Sequence, residues 1–250
     1  MNVIPRLRMF AGPNGSGKST LKSVISPNLL GVYINPDELE KEIGEFDFLD
    51  LAYYGIHTTC DEILGFFRDA PLLEKADLLD EAAELRFSDD KLSFFAVSVN
   101  AYFASVAADF IRRKLLETGV SFTLETVMSF ADKVELLRNA QLRGFRTYLY
   151  FIATEDPIIK ISRVRHRVKM GGHPVPEDKI ISRYRRSLDL LREAVRYSHR
   201  AYIFDNSGGE HVWLAEVTEG KLIELKTNAM PHWFKSALWD RFEEPSSGDG

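Results

Sequence analysis

A glycine-rich stretch near the N-terminus carries the residue types that bind phosphate. Residues 12–19 fill the pattern G-x-x-x-x-G-K-[ST] of a phosphate-binding loop, or P-loop. Its glycines allow backbone N–H groups to turn inward around an anion. Lys18 is expected in a solvated phosphate site, where its ammonium reaches the β- and γ-phosphates, and the Ser19 hydroxyl is predicted to bind Mg²⁺.

A surface turn rich in glycine and serine is the alternative interpretation of this stretch. The apolar residues on both sides instead predict a strand before the loop and a helix after it, as the motif requires. We therefore predict that the chain binds a nucleoside triphosphate. The predicted nucleotide-binding residues of the loop are Gly12, Asn14, Gly15, Ser16, Gly17, Lys18, Ser19 and Thr20.

Two carboxylates follow predicted strands. Asp37 comes after the apolar run 32–34, and Glu125 lies near the end of the run 121–126, with Thr126 beside it. Ligands of parallel α/β sheets bind at the carboxyl ends of strands. We predict that Asp37 is a catalytic base, and the alternative is that it caps the following helix. Glu125 is predicted to meet substrate hydroxyls or Mg²⁺, or to form a structural ion pair with an arginine.

The charges of the chain are unevenly distributed. The net charge is −5, but residues 37–90 contain 17 acidic and 4 basic side chains, whereas residues 160–200 contain 12 basic and 4 acidic ones. Arg163 and Arg167 stand four positions apart on one predicted helix face, so both can reach one phosphate cluster. A solvated helix surface is the alternative. Nucleic acid is not an expected partner, because few aromatic residues lie among these basic ones.

Composition indicates an ordinary globular protein. The chain has 250 residues, 45% of them apolar, with a single cysteine, Cys60, and hence no intrachain disulfide. No apolar run is long enough to cross a membrane, and the first five residues are too short for a signal peptide. We expect a cytoplasmic protein that does not act at a membrane.

The order of predicted elements indicates an α/β fold. Strands alternate with helices behind the P-loop, which predicts a three-layer sandwich with a mainly parallel sheet. The predicted strands are 6–11, 32–34, 121–126, 146–153 and 201–204, and the predicted helices are 18–25, 98–117, 131–143 and 177–196. We predict a single domain, 1–250, that includes an acidic helical insertion at 40–97, a basic helical lid region at 157–198, and a C-terminal β-hairpin and helix at 210–242.

Several of these motifs together resemble the zeta-toxin family of small P-loop kinases. The segments that carry the resemblance are GPNGSGKST at 12–20, INPDE at 34–38, LET at 124–126, GGHPVP at 171–176 and ISRYRRSL at 181–188. The resemblance implies an adenylate-kinase-like fold, ATP and Mg²⁺ as cofactors, and an antitoxin protein as a possible partner. It also implies transfer of phosphate to a hydroxyl of a UDP-activated amino sugar.

The resemblance also implies roles for single residues. Lys18 would hold the phosphates, Asp37 would be the base, Glu125 would contact the acceptor and Arg167 would stabilise the transferring group. The acceptor-binding glutamate of the family appears here as Asp109.

One phosphate-binding arginine of the family has no direct match. Its position falls near His173, so Arg163 or Arg183 would substitute for it.

Together these observations predict an ATP-dependent kinase that phosphorylates a hydroxyl of a small metabolite, with a nucleotide sugar as the expected acceptor. One alternative is a nucleotide-dependent switch or NTPase module. The other is a kinase of a nucleotide, a polynucleotide end or an antibiotic.

Overall fold

The computed structural model describes residues 4–23, 25–155, 176–208 and 210–243. The described residues divide into two compact units, one within the ranges 1–30 and 124–250 and the other within 31–123. The described strands are, in chain order, β1 (Arg6–Ala11), β2 (Val32–Ile34), β3 (Phe48–Asp50), β4 (Arg86–Ser88), β5 (Lys91–Ser93), β6 (Phe122–Thr126), β7 (Arg146–Ala153), β8 (Arg200–Asp205), β9 (Val212–Thr218) and β10 (Leu222–Leu225).

Each unit has its own helices. In the first unit the described helices are Lys18–Lys22, Pro27–Leu30, Asp132–Leu142, Glu177–Asp189, Leu191–Arg196, His232–Phe234 and Asp240–Glu243, with a π-helical turn at Lys235–Trp239. In the second unit they are Pro36–Phe46, Cys60–Arg68, Pro71–Glu74, Leu79–Ala83 and Ala101–Thr118, with a 3₁₀ turn at Ala52–Tyr54.

The main sheet has seven strands in the order β10-β9-β8-β7-β1-β6-β2. β1 pairs in parallel with β7, and β7 pairs in parallel with β8, whereas β9 and β10 add an antiparallel edge. The predicted fold class is therefore confirmed: a mixed α/β protein with a mainly parallel sheet and a C-terminal hairpin.

β1 is an interior strand of this sheet, between β7 and β6, and leads into the P-loop. Its apolar side chains are fully buried, as expected for a parallel strand covered on both faces. In the register of the sheet, Ala11 faces Phe151 of β7, and Phe151 faces Ile203 of β8. The last residue of β1 is thus fixed inside the core, and the loop that follows starts from a rigid support.

The second unit has its own small sheet and aromatic core. β3, β5 and β4 form a three-stranded antiparallel sheet in that order. Phe67, Phe94 and Phe103 are buried together, with ring centroids 6.0–6.5 Å apart. The segment 40–97, predicted as helical, thus contains strands as well. Its residues share a core with the helix Ala101–Thr118.

Local capping explains where some predicted helices begin and end. The predicted helix 98–117 starts at Ala101, because the Asn100 side chain accepts hydrogen bonds from the N–H groups of Tyr102 (2.9 Å) and Phe103 (3.3 Å). It ends at Gly119, which has a φ of 68°. The predicted helix 177–196 is two helices, Glu177–Asp189 and Leu191–Arg196.

Within the described part of the chain, no helix combines the length and the apolar character needed to cross a membrane.

Candidate functional site

The P-loop begins with a glycine at which any side chain would clash with the neighbouring strand. Gly12 has a φ of 144°, and a Cβ atom there would lie 2.0 Å from the backbone oxygen of Ile152 on β7. The loop then closes on itself, because the Ser16 N–H donates to the oxygen of Pro13 at 3.2 Å. The close approach to β7 fixes the entry to the loop in one conformation.

Lys18 begins the helix after the loop and is more buried than expected. Its side chain is only 8% exposed, so the prediction of a solvated position is wrong. The ammonium donates to the backbone oxygens of Gly12 (2.9 Å) and Pro13 (3.1 Å), which compensates the cost of burying it. The cation is therefore held against the loop whose pattern predicts phosphate binding.

Ser19 and Glu125 meet at the same end of the sheet. The Ser19 hydroxyl lies 3.1 Å from each carboxylate oxygen of Glu125, which is near the end of β6. A hydroxyl beside a carboxylate is a donor set suited to Mg²⁺, which prefers oxygen ligands. Among the described residues no cluster of three or more His, Cys, Asp or Glu side chains has the arrangement of a protein metal site. Any Mg²⁺ here would thus also need oxygens from a nucleotide or water.

One buried hydroxyl of the loop lacks a protein partner. Ser16 is fully buried, and its Oγ has no hydrogen-bond partner within the described part of the chain. Such orphaned buried groups are uncommon in folded proteins and call for a physical explanation. A bound anion or its solvent shell would supply the missing hydrogen bond.

Two residues after β8, neither of them among the predicted site residues, contact the P-loop. The Asn206 amide donates to the oxygen of Ser16 at 2.8 Å, and Nε2 of His211 lies 3.2 Å from the oxygen of Gly17. Gly17 has a φ of 95°, and a Cβ there would lie 2.4 Å from the Asn206 amide nitrogen. The only signal in the sequence was the position of Asn206 directly after a β-prone run.

Asp37, the predicted base, lies in the second unit. It occupies the first turn of the helix Pro36–Phe46, and its side chain is exposed. The helix is capped by Asn35, whose side-chain oxygen accepts from the Asp37 N–H at 3.0 Å. The capping role considered for the Asp37 side chain thus belongs to Asn35.

Asp109 also lies in the second unit, where it is ion-paired. Its carboxylate contacts Arg112 at 2.6 Å and Arg113 at 3.5 Å on the same helix. Arg112 is buried, so this carboxylate balances a buried cation. These contacts give Asp109 a structural role beside the predicted acceptor contact.

Thr126 has a local contact at the end of β6. Its hydroxyl oxygen accepts from the Met128 N–H at 3.1 Å, which shapes the turn after the strand. The predicted phosphate-binding residues Arg163 and Arg167 lie outside the described residues, as does His173. Arg183 lies half-buried on the helix Glu177–Asp189.

Comparisons with known sequences identify relatives of the chain. The family model described as zeta toxin matches residues 90–218, which is more than half of the chain. An uncharacterized protein of Haemophilus influenzae is 31% identical over 65 residues, which make up 26% of this chain and 46% of that protein. The chain thus spans less than half of the length of this curated relative.

Two solved structures have a similar fold. The structure of AvrRxo1-ORF1:AvrRxo1-ORF2 with sulphate ions has a TM-score of 0.53 at 16% identity, covering 90% of this chain and 62% of that one. The structure of the same complex with ATP has a TM-score of 0.51 at 15% identity, covering 99% and 67%. At such low identity these structural similarities show a shared fold alone. The family model establishes the relationship: the chain belongs to the zeta toxin family.

Proposed function

We propose that the protein is an ATP-dependent phosphotransferase that transfers the γ-phosphate to a hydroxyl of a small metabolite, with a nucleotide sugar as the acceptor. The observation that carries this proposal is the P-loop itself, with Lys18 held against the loop and Ser19 beside Glu125. Membership of the zeta toxin family supports it. ATP as the nucleotide is supported by the similar structure that contains ATP. We place the reaction in the cytoplasm, where ATP is available.

Ser19 and Glu125 would hold Mg²⁺ in this proposal. Their oxygens lie 3.1 Å apart, and both are of the hard type that Mg²⁺ prefers. When bound, the ion would neutralise charge on the β- and γ-phosphate oxygens. Glu125 would exchange its hydrogen bond from Ser19 for the shared cation.

The chain's own residues supply the remaining steps. Backbone N–H groups of the P-loop and the Lys18 ammonium bind the phosphates and stabilise the charge that builds up during transfer. Asp37 takes the proton of the acceptor hydroxyl. At the same time the acceptor oxygen bonds to the γ-phosphorus, and the bond from that phosphorus to the bridging oxygen of ADP breaks. Arg167, with Arg163, stabilises the transferring group.

The acceptor is proposed to contact carboxylates and a hydroxyl rather than an apolar pocket. Glu125, Thr126, Asp37 and Asp109 have oxygens that can accept hydrogen bonds from sugar hydroxyls. For Asp109 this requires sharing the carboxylate with Arg112.

A second candidate is a nucleotide-dependent switch, and one observation favours it. The contact of the P-loop hydroxyl with a strand-end carboxylate is the arrangement that holds Mg²⁺ in switches as well as in kinases. A switch would hydrolyse ATP slowly without an acceptor, whereas the kinase requires one.

The deciding experiment uses γ-labelled ATP with a fractionated metabolite extract. We expect label to appear in a small-molecule fraction with the wild type and with Lys221→Ala, whose lysine is exposed on the C-terminal hairpin. Lys18→Ala is expected to reduce this transfer by at least about 10²-fold. Label released only as inorganic phosphate, equally with and without extract, would instead establish the switch.

We also propose an antitoxin protein as a partner, because the chain belongs to a toxin family. Expression of the wild type is expected to slow the growth of a bacterial host, and expression of Lys18→Ala is not. Equal growth inhibition by both would show that toxicity does not depend on the nucleotide site. It would also contradict an antitoxin that acts by blocking that site.

A further inference from the structure

Asn206 and His211, which follow β8, contact two carbonyl oxygens of the P-loop. Asn206 donates to the oxygen of Ser16 at 2.8 Å, and in the tautomer with hydrogen on Nε2, His211 donates to the oxygen of Gly17 at 3.2 Å. These two oxygens belong to consecutive peptide groups of the loop. The first peptide group joins Ser16 to Gly17, and the second joins Gly17 to Lys18.

The direction of these oxygens determines where the loop N–H groups point. In a planar trans peptide the C=O of one residue and the N–H of the next point in opposite directions. The Ser16 oxygen points toward Asn206, so the Gly17 N–H of the same peptide group points away from Asn206. In the same way, the Gly17 oxygen points toward His211, so the Lys18 N–H points away from His211.

We propose that Asn206 and His211 are positioning residues that orient the phosphate-binding N–H groups of Gly17 and Lys18. This inference rests on the proposed nucleotide binding. Neither side chain is required to touch the nucleotide, because each acts through a loop carbonyl. Their effect is to hold the loop in the conformation that binds phosphate before the anion arrives.

Asn206 is itself held in a fixed position. It is 8% exposed, and its backbone N–H donates to the oxygen of Ala153 at the end of β7, at 2.8 Å. The preceding residue, Asp205, accepts from the indole of Trp233 at 2.8 Å and from the hydroxyl of Ser207 at 2.8 Å. The donor that meets the P-loop is thus attached to the core.

A second contact ties this connection to the end of β7. The Glu155 N–H donates to the hydroxyl oxygen of Ser207 at 2.7 Å, and the Glu155 carboxylate accepts from the His232 N–H at 3.1 Å. Residues on both sides of Asn206 are therefore hydrogen-bonded, as a residue that orients a loop requires.

The Gly17 oxygen that His211 contacts also has a second donor. The Gly17 oxygen also accepts from the Leu21 N–H at 3.1 Å, which is the first hydrogen bond of the following helix. His211 therefore adds to an existing restraint, whereas among the described residues the Ser16 oxygen accepts from Asn206 alone. We expect the loss of Asn206 to have the larger effect.

The test is calorimetric titration of Mg-ADP into the wild type and single variants. Asn206→Ala is expected to weaken ADP binding roughly tenfold, the effect of one lost hydrogen bond at an organised site. His211→Ala is expected to weaken it about threefold by the same reasoning. His211→Gln is expected to bind like the wild type, because the glutamine amide can donate from a similar position. Asn139→Ala, at an exposed position on the helix Asp132–Leu142, is the matched control and should not change binding.

The outcomes separate this inference from the proposed function. A wild type that fails to bind ADP overturns nucleotide binding and the inference with it. A wild type that binds ADP but transfers no phosphate overturns the kinase proposal and leaves the inference standing. If Asn206→Ala and His211→Ala both bind ADP as tightly as Asn139→Ala, the inference alone is overturned. Should Asn206→Ala fail to fold, the pair His211→Ala and His211→Gln decides, and equal affinities of that pair would reject the proposal.

Discussion

Asn35 and Asp37 stand two residues apart and have different tasks at the start of one helix. The Asn35 side chain binds the Asp37 N–H, so the helix does not require the Asp37 carboxylate as a cap. A short exposed carboxylate just beyond β2 remains at the position where the sequence predicted a base. This separation makes the catalytic hypothesis testable without disturbing the cap.

Asp37→Asn is expected to reduce phosphoryl transfer by roughly two to four orders of magnitude, because an amide cannot accept the acceptor's proton. ATP binding should stay the same or tighten slightly, since a negative charge has been removed. The measurement is transfer of label from ATP into metabolite extract beside a nucleotide titration.

The matched control is Glu38→Gln, which removes the neighbouring carboxylate from the same helix turn. Both variants should lose only about 0.3–1 kcal/mol of unfolding free energy, through the helix dipole. Transfer by Asp37→Asn at the level of Glu38→Gln would remove Asp37 from the mechanism.

At the residue scale the sequence predicted the groups that belong to local patterns. Gly12, Lys18 and Ser19 follow from one motif, and Glu125 followed from its place at a strand end. Asn206 and His211 could not be predicted, because their partners lie 190 and 194 positions away in the chain. The burial of Lys18 escaped prediction for a related reason: it depends on how the loop folds over its own carbonyls.

At the scale of elements, the strands of the main sheet follow from their composition. β7 has the predicted bounds, because its run of β-branched and aromatic residues is long and lies between helices. β3, β4 and β5 have three residues each, too few for a periodic pattern to be visible. The helix Cys60–Arg68 lies within the segment predicted as helical, and Thr59 caps it by accepting from the Glu62 N–H.

The aromatic core of the second unit supports a stability prediction. Phe67 on the helix Cys60–Arg68 is fully buried against Phe94 and Phe103. Phe67→Ala is expected to lower the unfolding free energy by roughly 3–5 kcal/mol, through lost burial and the cavity left behind. The measurement is urea unfolding. The control is Phe95→Ala, at a residue that is 84% exposed, which should change the unfolding free energy by less than about 0.5 kcal/mol.

An ion pair between two helices of the same unit gives a pH-dependent prediction. Lys114 on the helix Ala101–Thr118 contacts Glu62 at 2.9 Å. Hydrogen bonds from Thr58 and Lys114 lower the pKa of Glu62, and its bond to Glu62 raises the pKa of Lys114. The carboxylate therefore adds stability above its ordinary pKa of 4.5, and this contribution is lost as the pH falls through the lowered value.

Lys114→Met is expected to cost about 0.5 kcal/mol at pH 7, the usual scale for an ion pair that solvent still reaches. The difference from the wild type should shrink as the pH falls below 4.5 and through the lowered pKa of Glu62. Urea unfolding at pH 7 and at successively more acidic pH values measures it, with the exposed Lys75→Met as the control. A constant difference across this range would show that packing of the lysine stem, and not the ion pair, stabilises the two helices.

At the scale of the whole molecule, ligand binding and folding are coupled. A ligand that binds only the folded chain stabilises it according to its concentration relative to the dissociation constant, by about 2.7 kcal/mol at a hundredfold excess. For a chain of 250 residues this corresponds to a rise in Tm of about 5–10 °C.

We expect this shift when Mg-ATP is added to the wild type, and a much smaller one for Lys18→Ala, because the ammonium that would meet the phosphates is gone. The unliganded Tm of Lys18→Ala should fall several degrees below that of the wild type, because the buried backbone oxygens of Gly12 and Pro13 lose the ammonium that donates to them. Lys221→Ala, at an exposed lysine, controls for the loss of one positive charge.

Differential scanning calorimetry gives all of these Tm values. An equal shift in the wild type and Lys18→Ala would mean that ATP binds elsewhere on the molecule, and the P-loop would lose its place in the proposed mechanism.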